Sequence, residues 1–394
     1  MTHTSTGYRG PEATRSHAEL SCQRRRRTIP TGERGWGGPR SCALPRGRGC
    51  PTLDAAPVES ARSGVAMPVY ADLGVKRVIN AWGPMTIIGS ALVRPEVIAA
   101  MAEAAESYVD VIELQRAAGK RLAELIGVEA CYVAAGSAAG LAIVTAALMT
   151  GGDQARVAQL PFPTSGMRDE VIMQRSHRNP YDHAFRQVGA RIVEIGHAWS
   201  AFDWELEAAI GPKTSAVVYV YGHRTMHLAL SLPDTVSIAH GRGVPVIVDA
   251  AAEVPPARNL RALKDTGADV VVISGGKGLR GPQNSAIVQA SPDIVEACIP
   301  NAAPLHSHGR SMKTTKEDII GLLKAVELYT DLDHDAVQRG WRDEAAAVVA
   351  AELAADDPSI RVTHDRDWLT VNPQFLQAGE SEMVAARLRQ ALGG

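Results

Sequence analysis

Lys277 lies within Ser274-Gly-Gly-Lys-Gly-Leu-Arg-Gly-Pro-Gln283, a glycine-rich loop that follows the run Ala268-Asp-Val-Val-Val-Ile273. A short β-branched run of this kind reads as a strand buried on both faces of a parallel sheet. The carboxyl end of such a strand is where α/β folds place their chemistry. Glycines let backbone approach a ligand closely. A lysine amine among them can condense with a carbonyl group, which is how pyridoxal phosphate (PLP) is held. A flexible or phosphate-cradling turn is the competing reading, but the P-loop pattern needs Ser or Thr after its lysine, and Gly278 stands there.

A carboxylate closes an earlier strand-like run, Val244-Pro-Val-Ile-Val-Asp249. Between the two runs, Ala257 to Asp265 is expected to form a short helix stopped by Gly267. That makes a β-α-β unit, with parallel strands and with Asp249 and Lys277 at one edge of the sheet. A carboxylate against a pyridine nitrogen keeps it protonated, so that the ring withdraws electrons from a substrate carbanion. An aspartate at a strand end is by itself equally a helix cap; its pairing with Lys277 favours the cofactor reading.

The elements that must position these groups alternate along the chain. Arg94 to Ile126 is alanine-rich with aliphatics at helical spacing, giving two helices with Gly127 as the stop. Glu129 to Ala135 reads as a strand running into Gly136-Ser137-Ala138-Ala139-Gly140 and a helix. Free N–H groups and the helix dipole make such a start an anion site, although the string alone is also an ordinary helix cap. Further strands are expected at Val171–Arg175, Arg191–Ile195 and Thr214–Tyr221, and Arg77 to Ser90 as an extended segment with turns. The alternation predicts an α/β fold with a mostly parallel sheet covered on both faces.

The string from His177 to His183 follows a strand and is placed to lay an aromatic face over a cofactor ring. His223 and His227 have the i, i+4 spacing of a zinc helix but lack its glutamate, so no metal site is expected. Arg310, Lys313 and Lys316 form a basic cluster suited to a carboxylate or phosphate, or to solvent.

The formal net charge of -2 hides an asymmetry, since residues 1–66 carry 11 arginines, no lysine and 5 acids. That segment has six Leu, Ile, Val or Phe against nine Gly and six Pro, too little to bury a core, and is expected to be a disordered basic arm. The folded body opens at Met67, which is also the expected start of the native protein. No secretory h-region and no membrane-length apolar run occurs. Three of the five cysteines (Cys22, Cys42 and Cys50) lie in the arm, leaving Cys131 and Cys298 in the body. With no disulfide framework or Cys-based zinc site indicated, a reducing cytoplasm is the expected setting.

Several motifs, in order, resemble one family: RVINAWGPMTIIGS, the Tyr108-Val-Asp-Val-Ile-Glu-Leu-Gln segment, QRSHRNPYDHAFRQVGARIVEIG, PVIVDAAAEVPP, SGGKGLRGPQNS and GRSMKTTKEDIIGLL. It is the fold-type-I, PLP-dependent family of bacterial selenocysteine synthase and D-glucosaminate-6-phosphate ammonia-lyase, akin to the class V aminotransferases. The resemblance runs from about Arg77 to about Tyr329. It implies a seven-stranded, mainly parallel large domain within 67–330, a small C-terminal α/β domain at 331–394, and a homodimer or higher oligomer. It also implies Lys277 as the Schiff-base lysine, Asp249 as partner of the pyridine nitrogen, and Gly136, Ser137, Ala138 and Ser274 around the phosphate. His177 falls near the ring and Arg310 at the substrate carboxylate. Two departures stand out. The region after Trp341 is shortened relative to the family pattern, and Ala286 replaces a usual glycine.

The resemblance favours a lyase acting by α,β-elimination and deamination on a small anionic β-hydroxy amino acid or aminosugar acid. The alternatives are a selenium transferase acting on seryl-tRNA, a class V aminotransferase-like transferase, and a catalytically dead scaffold. Residues 67–394 carry 30 basic and 38 acidic side chains, which argues against a nucleic-acid partner.

Overall fold

The computed structural model describes Tyr70, residues 72–198, 200–222 and 229–341, and the segments 359–361, 363–365, 368–370 and 373–392. The basic arm, with Cys22, Cys42 and Cys50, and the pair His223 and His227 lie outside the described residues.

In chain order the body begins with β1 (Val78–Asn80), α1 (Pro95–Ala105), α2 (Val111–Ile126), β2 (Ala130–Ala134), α3 (Ser137–Thr150) and α4 (Gln154–Gln159). It continues through β3 (Glu170–Gln174), α5 (His183–Arg186), β4 (Arg191–Ile195), α6 (Asp203–Ala209), β5 (Thr214–Val220) and α7 (Leu232–Gly241). Next come β6 (Val246–Asp249), α8 (Asn259–Ala262), β7 (Val270–Ser274), β8 (Ala286–Ala290), α9 (Pro292–Cys298) and α10 (Lys316–Thr330). Three short strands, β9 (Ser359–Arg361), β10 (Thr363–Asp365) and β11 (Trp368–Thr370), precede the last helix, α11 (Glu380–Leu392).

Seven strands form one sheet in the order β2-β8-β7-β6-β5-β3-β4. All neighbours are parallel except those of β8, which runs antiparallel to both β2 and β7. The expected mostly parallel seven-stranded sheet is therefore present. The β8 strand has no counterpart in the sequence reading, because Ala286-Ile-Val-Gln-Ala290 follows the lysine loop with no helix between. Strands read from sequence at Val171, Arg191 and Thr214 appear as β3, β4 and β5. The helix expected over Ala257 to Asp265 and closed by Gly267 is a single turn, α8, that already ends at Leu263; Gly267, at φ +92°, lies in the turn beyond it. A crossover so short still joins parallel strands: Asp249 lies opposite Val272 in the β6–β7 ladder.

Alternate residues along each strand enter opposite cores. Val133, Val217, Val246, Val248, Val271 and Ile273 pack against α2, α7 and α10 on one face. Val171, Val218, Ile247, Val270, Val272 and Val288 pack against α3, α5 and α9 on the other. Each such side chain contributes about 1.5–3 kcal/mol by leaving water, which fixes the central strands and leaves their carboxyl ends to carry function. The α3 helix is buried from Ala139 to Ala147, whereas its first turn is half-buried at Ser137 and exposed at Ala138. Close packing demands Gly140, where a Cβ would stand 3.0 Å from Val288 Cγ2.

Among the described residues, no helix is long and apolar enough to cross a membrane.

Candidate active site

The loop after β7 is held from several sides. A Cβ added to Gly275 would lie 2.1 Å from Ser285 Oγ, one on Gly276 2.4 Å from Gln283 Cα, and one on Gly278 2.0 Å from the Val254 carbonyl oxygen. These glycines are thus required by close packing, against side chains at Gly275 and against backbone at Gly276 and Gly278, not by loop flexibility. The segment before α1 closes the remaining side. Ser90 Oγ donates to the Gly276 carbonyl at 2.7 Å, and Gln283 Nε2 donates to Thr86 O at 3.4 Å. Arg280 completes the turn at φ +56°, its Nε donating to Leu92 O. Lys277 is thereby fixed at its backbone while its amine faces a cavity of roughly 520 Å³.

That cavity is also lined by Asp249, Gly136, Ser137, Ala138 and Ser274. Asp249, 9 % exposed at the end of β6, accepts a hydrogen bond from Ala251 N–H at 3.1 Å. Burial raises its pKa, opposed by the Ala251 N–H and by the charge of Lys277. Burial lowers the pKa of Lys277, opposed by the charges of Asp249 and Glu253. The pair is therefore poised with an amine easier to deprotonate, and a carboxyl harder to ionise, than in water.

Gly136, at φ +89°, turns the chain from β2 into α3. The Ser137 hydroxyl at the first helical position is buried and has no hydrogen-bond partner. A buried hydroxyl without a partner is costly, and here it stands among the free N–H groups of a 14-residue helix. An oxyanion placed there would satisfy both.

Two residues named from sequence fall elsewhere. His177 is fully buried behind the cavity wall, edge-on to Tyr219 at 4.5 Å, with its Nδ1 accepting from Val220 N–H at 3.3 Å. It supports the strand that carries Val220 and Tyr221 on the wall, while Tyr181 and Asn179 from the same string reach the cavity. Arg310 is exposed and does not line the cavity, as is the case for Lys313; Lys316 is engaged with Ala104 O and Glu317. The basic cluster is not assembled at this site. Glu253 and Tyr221 line the cavity without having been singled out from sequence, and Tyr181 and Gln283 line it from within strings that were. Glu253 had a signal, being a carboxylate four residues beyond Asp249 in the same strand-end segment.

Among the described residues, no group of three or more His, Cys, Asp or Glu is placed to hold a metal ion. Cys131 and Cys298 are buried with thiols pushed up to about 12, which makes them inert packing groups.

A mostly parallel sheet with a strand-end lysine loop, a strand-end aspartate and a helix start at one cavity is the architecture of the fold-type-I PLP enzymes, and this chain belongs to that family. Residues 169–340 match the model for aminotransferase class V. The chain is 34% identical to D-glucosaminate-6-phosphate ammonia lyase of Salmonella typhimurium, over 82% of this chain and 97% of the relative. It is 35% identical to 5'-C-glycyluridine monooxygenase-decarboxylase of Streptomyces, over 86% of each. An L-seryl-tRNA(Sec) selenium transferase of Solidesulfovibrio magneticus is 28% identical, with 81% of this chain covering 64% of that protein. A solved structure of D-glucosaminate-6-phosphate ammonia-lyase superimposes with a TM-score of 0.72 at 32% identity, over 82% of this chain and 97% of that one. The protein is an enzyme of this family.

Proposed function

We propose that the protein is a PLP-dependent lyase that removes water and then ammonia from a small anionic β-hydroxy amino acid or aminosugar acid. The observation that carries this reading is the convergence of the Lys277 amine, the buried Asp249 carboxylate and the unpartnered Ser137 hydroxyl on one cavity. These residues fit the cofactor. Lys277 would link to its carbonyl carbon, Asp249 would face its ring nitrogen, and Gly136, Ser137, Ala138 and Ser274 would surround its phosphate. Bound there, PLP supplies an electron sink for a carbanion at the substrate Cα.

The rest falls to the chain. Once released by the substrate amine, Lys277 is a base fixed by its glycines against the cavity, and the lowering of its pKa by burial favours the neutral amine that takes the Cα proton. Asp249, held by Ala251 N–H, is fixed in place on the cavity wall. Loss of a β-substituent and hydrolysis of the resulting enamine then give ammonia and a 2-keto acid. The similarity to the ammonia lyase along nearly the whole of that relative supports elimination as the outcome.

In this reading the enzyme works in the cytoplasm as a homodimer or higher homo-oligomer. Exposed apolar side chains before and along α1, Ile87, Leu92 and Ile98 among them, support association through that face. The body 67–330 holds the site and 331–394 is a shortened small domain.

The test is to incubate the purified protein with amino acids and aminosugar acids, without a keto-acid acceptor, and to measure ammonia and keto acid. Release of both supports the lyase, and strict dependence on an added 2-keto acid makes the protein an aminotransferase. A second reading, oxidative decarboxylation, rests on the likeness to the monooxygenase-decarboxylase; oxygen consumption coupled to carbon dioxide release would establish it.

A further inference from the structure

The cavity holds a second carboxyl group that the reaction above leaves without a task. Glu253 lines the same cavity as Lys277 and Asp249. Its position is set by the fold: Glu253 N–H donates to Ala250 O at 3.1 Å, and its carbonyl accepts from Asn259 Nδ2 at 2.7 Å. The next residue, Val254, presents its carbonyl to Gly278, so the segment carrying Glu253 is packed directly on the residue after Lys277. Among the described residues, the titratable groups on this wall are Asp249, Glu253, Lys277, Tyr181 and Tyr221.

An elimination needs two proton transfers, one from Cα to a base and one to the departing oxygen, because hydroxide is a poor leaving group. We infer that Glu253 is the general acid that protonates the β-hydroxyl as it leaves, with Lys277 the base at Cα. This rests on the lyase reading given above. In the step, Lys277 Nζ takes the Cα proton and the Cα–H electron pair becomes the Cα–Cβ double bond. The Cβ–O pair leaves with the oxygen, which takes the Glu253 proton and departs as water. There is no net oxidation, and one water re-enters when ammonia is released.

The charges of the two side chains drive the exchange in the required order. A cationic Lys277 and an anionic Glu253 stabilise one another, as the effect of Glu253 on Lys277 shows. When the Cα proton arrives on Lys277, the new positive charge favours the anionic form of a carboxyl group on the same wall, and so favours delivery of a proton to the leaving oxygen.

Glu253→Gln keeps the shape of the side chain and removes its proton. The two enantiomers of serine and D-glucosaminate, which lose hydroxide, are compared with β-chloroalanine, which loses chloride without needing an acid. The expected result is a loss on the order of 100-fold on the hydroxy substrates, a small change on β-chloroalanine, and retained exchange of the Cα hydrogen with deuterated solvent. Glu253→Asp should recover part of the lost rate. A reading free of turnover accompanies these: the pH midpoint of the bound cofactor's absorbance change, which reports the proton shared with Lys277, should fall in Glu253→Gln. Equal losses on both leaving groups, or an unmoved midpoint, would overturn the role of Glu253 while leaving the lyase intact. A wild-type protein that eliminates neither hydroxide nor chloride would overturn the lyase reading, and this role with it.

Discussion

Gly278 lies against the carbonyl of Val254 so closely that a Cβ on it would stand 2.0 Å from the oxygen. This contact packs the loop of Lys277 directly against the segment that follows Asp249. Gly278→Ala therefore forces the loops apart. We expect a destabilisation of about 1–3 kcal/mol, the usual cost of overpacking, and weakened PLP retention. Thermal denaturation with and without PLP checks both; an unchanged melting temperature would remove this contact from the account.

Ser137→Ala deletes the buried hydroxyl that has no partner in the protein. The free protein should be unharmed or slightly more stable, because an unsatisfied group is gone. PLP affinity should drop about tenfold or more, since a hydrogen bond to a charged group contributes about 1.5–3 kcal/mol. Equilibrium titration with PLP measures this, and unaltered affinity would take Ser137 out of the phosphate site.

Lys277→Ala should abolish borohydride-stable attachment of PLP, read by intact mass. In the cofactor-free wild type, the lowered pKa of Lys277 means it loses its proton at lower pH than exposed lysines do. An amine-directed reagent should then modify Lys277 ahead of the others as pH is raised from 6 towards 9. Asp249→Asn removes a charge that raises the lysine's pKa, so the labelling profile should move to still lower pH. A shift to higher pH would contradict the pairing.

Asp249→Asn also separates stability from function. Burial raises the Asp249 pKa above its unfolded value, so the folded protein binds more protons than the unfolded chain between the two. Stability from this group is present below the unfolded pKa and falls as pH rises through the folded one. At neutral pH the cofactor-free Asn variant should thus melt no lower than wild type, whereas turnover should fall by orders of magnitude. Equal melting losses with and without PLP would show Asp249 to be structural instead.

The sequence alone determined the alternation of strands and helices, because β-branched runs and helical spacing record burial locally. It also singled out Lys277, Asp249 and the Gly136-Ser137-Ala138 start, which line one cavity, since glycine-rich loops and strand-end polar residues are local signals. It did not determine β8: five residues, four of them apolar, show no direction, and only pairing with β2 and β7 makes that strand antiparallel. It overextended the crossover helix, which tertiary packing shortens to one turn at α8. His177 and Tyr181 belong to one string, yet folding turns the histidine into the core beside Tyr219 and the tyrosine toward the cavity. Arg310 shares its sequence signal with a binding arginine, and its exposure depends on where the chain after α9 runs. Glu253 reaches the site because Gly278 packs on Val254, an approach between residues of two different loops. Local patterns encode which elements form and which residues are unusual; which of those residues share a cavity is decided by long-range packing, which a single chain of letters does not record.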